Sequence, residues 1–201
     1  MQNINQPKRE TMNKFLIFLL VNYFGFTTIL LGQGSSKSYS TILKNETPNY
    51  AEFSSDGKYI AAGVYGAIRV WETNTDLFKD YKTKLRNETP SFVSFSPDCK
   101  YIASGVYGAV RIWEINSENF TDYKVKLKNE TPDFVCFSPN GKYIATGIYG
   151  AVRVWNIKSG EFVDYSTKLK NETPKYVTFS SDNRFIVAGL YGEVKTWEIT
   201  N

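Results

Sequence analysis

An all-β fold assembled from four copies of one four-stranded antiparallel unit is what this sequence predicts, and three observations predict it. Asn-Glu-Thr-Pro recurs at Asn45, Asn87, Asn129 and Asn171, each 42 positions after the last. A Tyr-Gly phrase recurs in step with it, as YGAIRVW (65–71), YGAVRIW (107–113), YGAVRVW (149–155) and YGEVKTW (191–197). Short apolar runs rich in β-branched and aromatic residues fill the intervals, bounded by turn residues. A fixed period of this length belongs to repeat architectures, in which each unit buries its apolar face only against its neighbours.

The second unit, residues 86–127, shows the elements in order. FVSFS (92–96) alternates as a strand, and SPDCK supplies a turn. YIASG (101–105) is a second apolar run, VYG (106–108) offers the glycine of a tight hairpin, and AVRIW (109–113) is a third strand. EINSEN makes a loop. FTDYKVKL (120–127) is a fourth strand whose lysines suit an outer edge, because charge opposes edge-to-edge pairing. Four strands in 42 residues with a closing Trp describe one blade of a β-propeller.

FSPDCKYIASG with VRIWE, and FSPNGKYIATG with VRVWN, resemble the WD-repeat β-propeller family over about residues 38–201. The Trp-acid dipeptide of that family stands at Trp71-Glu72, Trp113-Glu114 and Trp197-Glu198, with Trp155-Asn156 the exception. The family's Gly-His pair is replaced by KNETP, and its turn Asp between the second and third strands is missing. The buried His–Ser/Thr–Asp–Trp network of the family therefore cannot form. A buried indole N–H needs an acceptor, and the Asn and Thr of NETP are expected to replace the lost network. Repeats are expected near 44–85, 86–127, 128–169 and 170–201, within a propeller domain at 35–201.

Closure follows from the ends of the repeat. The fourth unit stops short of its outer strand, while SYSTILKNETP (38–48) matches DYSTKLKNETP (164–174). Ser38–Leu43 is thus expected to complete the last blade beside Glu193–Trp197, giving a four-bladed ring in one chain. A homodimer sharing an eight-bladed ring is the alternative, since half-rings can exchange that strand across a two-fold axis.

Composition narrows function. Of the net charge of +4, residues 1–34 hold half through Lys8, Arg9, Lys14 and Glu10, so the repeats are near neutral and no nucleic-acid partner is expected. Histidine is absent, which removes His-based triads and most zinc or iron sites. No Gly-rich phosphate loop or nucleophile elbow occurs, and neither a cofactor nor a metal is expected. Cys99 and Cys136 occupy different places in their units and read as free thiols. Lys14 before an uncharged run, Phe15 to Leu31, followed by small polar residues, reads as a signal peptide over 1–34. A secreted or periplasmic protein is expected, with an uncleaved membrane anchor at 15–31 as the alternative.

The candidate site is the rim that carries NETP and Tyr-Gly from every blade. It comprises Asn45, Glu46 and Tyr65; Asn87, Glu88 and Tyr107; Asn129, Glu130 and Tyr149; and Asn171, Glu172 and Tyr191. Aromatic faces beside amide and carboxylate groups bind extended peptides or sugar rings. The WD-repeat resemblance implies a non-enzymatic scaffold holding a protein or peptide there; a multivalent glycan-binding propeller is the alternative. Asp80, Asp122 and Asp164 opposite Arg69, Arg111 and Arg153 read as cross-strand ion pairs. The NET sequons, each followed by Pro, and NFT at Asn119 read as incidental.

Overall fold

The structure, a computed structural model, describes residues 36–43, 46–75 and 77–199. The expected signal segment and Asn45 lie outside these residues. Ser38–Asn201 forms one compact unit, entirely β and without helix among the described residues. Blade one contains β1 (Ala51–Phe53), β2 (Tyr59–Val64), β3 (Ala67–Glu72) and β4 (Phe78–Lys82). Blade two contains β5 (Ser94–Phe95), β6 (Tyr101–Val106), β7 (Ala109–Glu114) and β8 (Phe120–Lys124). Blade three contains β9 (Cys136–Phe137), β10 (Tyr143–Ile148), β11 (Ala151–Asn156) and β12 (Phe162–Ser166). Blade four has β13 (Val177–Phe179), β14 (Phe185–Leu190) and β15 (Glu193–Glu198). Each sheet is an antiparallel meander in chain order.

The expected strands are present, but the first and fourth are shorter than expected. FVSFS contributes only Ser94–Phe95 to a ladder, and FTDYKVKL only Phe120–Lys124. The hairpins turn where Tyr-Gly stands, with Gly66, Gly108, Gly150 and Gly192 at φ between 74° and 78°. At the other end of each blade, the turn residue also adopts a left-handed φ. It is glycine at Gly57 and Gly141, but Cys99 (57°) and Asn183 (61°) carry side chains there.

The core lies between blades rather than within them. Ile68 of blade one packs among Val93, Ile102 and Trp113 of blade two. Val110 repeats this against Val135, Ile144 and Trp155, and Val152 against Val177, Ile186 and Trp197. All three inserted side chains are 0% exposed, and each such burial stabilises by about 1.5–3 kcal/mol. Glycine permits the close approach on the inner side. A Cβ at Gly63, Gly105 or Gly147 would stand 1.9, 1.9 or 1.7 Å from the carbonyl oxygen of Pro90, Pro132 or Pro174 in the following loop.

The outer strands clamp the blades. Arg153 donates through Nε and Nη2 to both carboxylate oxygens of Asp164, directly across β11 and β12. Its Nη1 reaches back 3.1 Å to the carbonyl of Lys124 in the preceding blade. Arg69–Asp80 and Arg111–Asp122 repeat the pairing. Tyr81 and Tyr123 bridge forward: the Asn116 N–H donates to the first phenol, and the second donates to the Ile157 carbonyl.

Two expectations are corrected. Ser38–Leu43 forms no strand, and among the described residues β15 pairs only with β14, so blade four has three strands and the expected closing strand is not in it. The physical reason is that the four blades make three packed junctions, and beyond the third nothing among the described residues stands within 4 Å of a Cβ at Gly189 or Gly192, so no neighbour is packed there to hold a fourth strand. The NETP loop does not replace the indole network either. Ser104 and Thr146 donate to the backbone carbonyls of Phe92 and Phe134, and the buried Trp71 Nε1 has no acceptor among the described residues.

Candidate functional site

The rim forms because each NETP loop sits over the hairpin of the preceding blade. The N–H groups of Gly66, Gly108 and Gly150 donate to the carbonyls of Glu88, Glu130 and Glu172 at 2.8, 2.8 and 2.7 Å. The carbonyls of the same glycines accept from Thr83, Val125 and Thr167. NETP and Tyr-Gly therefore share one end of the blades, as their strand order requires.

Within the rim the three residue types differ in what they do. Glu130 accepts the Tyr149 N–H at 2.7 Å, and Glu172 accepts the Tyr191 N–H. Glu46 and Glu88 instead accept from Leu43 and Leu85 in their own loops, both at 3.4 Å. One buried carboxylate oxygen of Glu88 and one of Glu130 have no partner among the described residues. The glutamates thus act as parts of the loop. Asn87, Asn129 and Asn171 are exposed, as are Tyr65, Tyr107 and Tyr149 at 42%, 37% and 40%. Tyr191 is 87% exposed, with no further blade flanking it among the described residues. Asn and Tyr are the side chains left available on this face.

The same rim carries a feature not anticipated from the sequence. Tyr50, Phe92, Phe134 and Tyr176 form a continuous file of rings, with centroids 3.9, 4.1 and 5.0 Å apart in succession. Each ring stands two residues after the NETP proline and just before the innermost strand. Tyr50 and Tyr176, at the ends, are 37% and 69% exposed. Burial, then the neighbouring Glu52 and Tyr176, raise the Tyr50 phenol above its usual range. The signal was an aromatic residue at a constant offset in all four units, hidden because Tyr fills the place in two of them and Phe in the other two.

At the opposite rim, a cleft of about 450 Å³ opens between blades two and three, lined in part by Asp98, Tyr101, Glu114, Phe120, Phe137 and Asn140. The Asn119 amide and Ser117 hydroxyl hold the Glu114 carboxyl below the usual range. Near the axis, Glu52 of β1 accepts the Phe95 N–H of β5 at 3.1 Å. Burial pushes its carboxyl up to about 7, against the lowering effect of that hydrogen bond. Cys136 donates to the Val177 carbonyl at the matching place, and burial pushes its thiol up to about 12. Both cysteines are free.

Comparison with known proteins bears on the repeat itself. No curated protein matches the chain. The family model for the WD domain, G-beta repeat, matches residues 86–114 and 133–156, which lie in the second and third units. Such domains generally mediate protein–protein interaction. The two matched stretches are similar to that repeat, and the first and fourth units, outside the match, share their 42-residue period.

Proposed function

We propose that this chain is an exported, non-enzymatic scaffold that holds a protein or peptide on its NETP/Tyr-Gly rim. The observation that carries the reading is the file Tyr50–Phe92–Phe134–Tyr176, a continuous apolar track with exposed tyrosines at both ends. Around it stand the exposed amides of Asn87, Asn129 and Asn171 and the rings of Tyr65, Tyr107 and Tyr149. Flat aromatic area with little side-chain entropy to lose, ringed by amide donors and acceptors, suits an extended peptide laid across the face. The same exposed tyrosines, one per blade, favour a repeating glycan as the second reading. Export rests on the order of Lys14, the Phe15–Leu31 run and the small polar residues after it.

Selection of displayed peptides against the chain, run beside a glycan array, separates the two ligand classes. The Tyr107→Ala/Tyr149→Ala variant is expected to lose at least tenfold in affinity for the selected peptide while its urea midpoint stays unchanged. Unchanged affinity would remove the rim from consideration. Glu130→Ala should behave oppositely, losing about 1–3 kcal/mol of stability with the Tyr149 N–H left unpaired. N-terminal sequencing of exported material is expected to return Gln33 or Ser35; Met1 or Met12 would leave an anchor instead.

A further inference from the structure

Blade four ends on a bare face, and blade one carries its complement. Ile68, Val110 and Val152 are 0% exposed at the three junctions, yet Val194, their counterpart in β15, is 76% exposed. A Cβ at Gly63, Gly105 or Gly147 would strike a proline carbonyl, whereas among the described residues nothing stands within 4 Å of one at Gly189. The N–H groups of Gly66, Gly108 and Gly150 reach the next loop, while among the described residues Gly192 makes no such bond.

At the other end, Ser38–Leu43 lies on blade one as each outer strand lies on the blade that follows it. Arg69 Nη1 donates to the Ser40 carbonyl at 3.0 Å, just as Arg111 reaches Lys82, Arg153 reaches Lys124 and Lys195 reaches Ser166. The Tyr39 and Trp71 rings meet at 5.9 Å, as Tyr123 and Trp155 meet at 6.1 Å. This segment thus takes the place of an outer strand on blade one while forming no strand itself. An open cavity of about 540 Å³ between it and blade one is lined in part by Tyr39, Pro48, Ala51, Ile60 and Trp71. Each of these stands 126 residues before Tyr165, Pro174, Val177, Ile186 and Trp197 at the third junction. Four of those five belong to the buried cluster that holds Val152.

We propose that Ser38–Leu43 and blade one of one copy complete blade four of a second copy, with Val194 seated in that cavity. The occupant is a second copy because knob and socket, which match in every repeat register, are both open among the described residues. Translating the register of β11 with β12 places Glu193 opposite Ser40 and Val194 opposite Tyr39. Gly192 then donates to the Glu46 carbonyl, and Thr41 donates to the Gly192 carbonyl. Lys195 faces Ser38 where the other junctions have Arg and Asp, so this junction lacks the ion pair and is the weakest of the series. A sheet edge left bare invites such pairing. A head-to-tail contact of this kind closes a ring or extends a filament according to the rotation between copies.

The test links the two strands covalently in the full chain. Ser40→Cys and Glu193→Cys are introduced together after replacing the native thiols by residues used at the same place in other units, Cys99→Gly and Cys136→Ser. The matching pair Ala67 and Lys82 adjoins the bond from Thr83 N–H to the Gly66 carbonyl and is itself not hydrogen-bonded. Such pairs hold their Cα atoms about 4.5 Å apart, within disulfide range. Mild oxidation is expected to give bands at twice the chain mass or at higher multiples on a non-reducing gel, absent from either single-cysteine control. No linkage, or a loop within one chain, overturns the proposal. Gly189→Ala is expected to reduce the linked fraction at least tenfold without moving the urea midpoint of unlinked chain, because its Cβ meets only the second copy. Val194→Lys should do the same, and unchanged linkage in both variants overturns the junction.

Discussion

Asp122→Ala probes what clamps the blades. The Asp122 carboxylate accepts from Arg111 Nε at 2.6 Å and Nη2 at 2.8 Å, while the guanidinium lies 3.9 Å over the Phe120 ring. Arg111 is 7% exposed, so truncating its partner strands a charge that water barely reaches. Breaking a fully buried pair costs about 3–5 kcal/mol. The Asp122 side chain is 28% exposed, and solvent screening lowers the expected loss to about 2–3 kcal/mol. For a unit of this size that corresponds to a fall in Tm of roughly 5–10 °C. In urea it corresponds to a midpoint about 1 M lower. The assay is urea denaturation followed by tryptophan fluorescence, with Trp113 on the strand that carries Arg111. Combining Asp122→Ala with Arg111→Met should recover much of the loss, because the stranded charge is gone while its apolar contact with Phe120 remains. A loss below about 0.5 kcal/mol for Asp122→Ala, the range of ordinary surface substitutions, would refute the clamp.

Three further outcomes are expected. Glu52 holds its proton in the folded chain up to about pH 7, well above the unfolded value of 4.5. Its contribution to stability is therefore complete below about pH 4.5 and is lost as pH rises through about 7, so the urea midpoint should fall between pH 5 and 7.5. Glu52→Gln should abolish that fall, and a slope that persists in the variant assigns it to other groups. Gly105→Ala should prevent a stable fold, since its Cβ would lie 1.9 Å from the Pro132 carbonyl oxygen; a midpoint equal to wild type would mean that the blades separate more easily than their packing implies. An alkylating reagent at pH 8 should label Cys99 in the folded chain and both thiols after unfolding, because burial pushes Cys136 up to about 12; equal labelling of the two in the native state would contradict its burial.

What the sequence determined by itself was everything carried by the repeat. The 42-residue period, the Tyr-Gly hairpins and the alternation of apolar runs define four blades and their strand order, because these are local properties of each unit. The Arg–Asp pairing was legible for the same reason, since its partners lie on adjacent strands eleven residues apart. The rim was legible as a face, but not the division of labour within it. Whether Glu130 meets solvent or the Tyr149 N–H depends on how the loop folds over the hairpin, which the period does not encode. The aromatic file needed the tertiary structure because its rings lie 42 residues apart and touch only when blades stand side by side. The ends were decided there too. Matching sequences give Ser38–Leu43 the pattern of an outer strand, but the segment forms no strand and β15 pairs only with β14 among the described residues, because pairing between the two ends of a chain is a long-range contact that a local match does not encode.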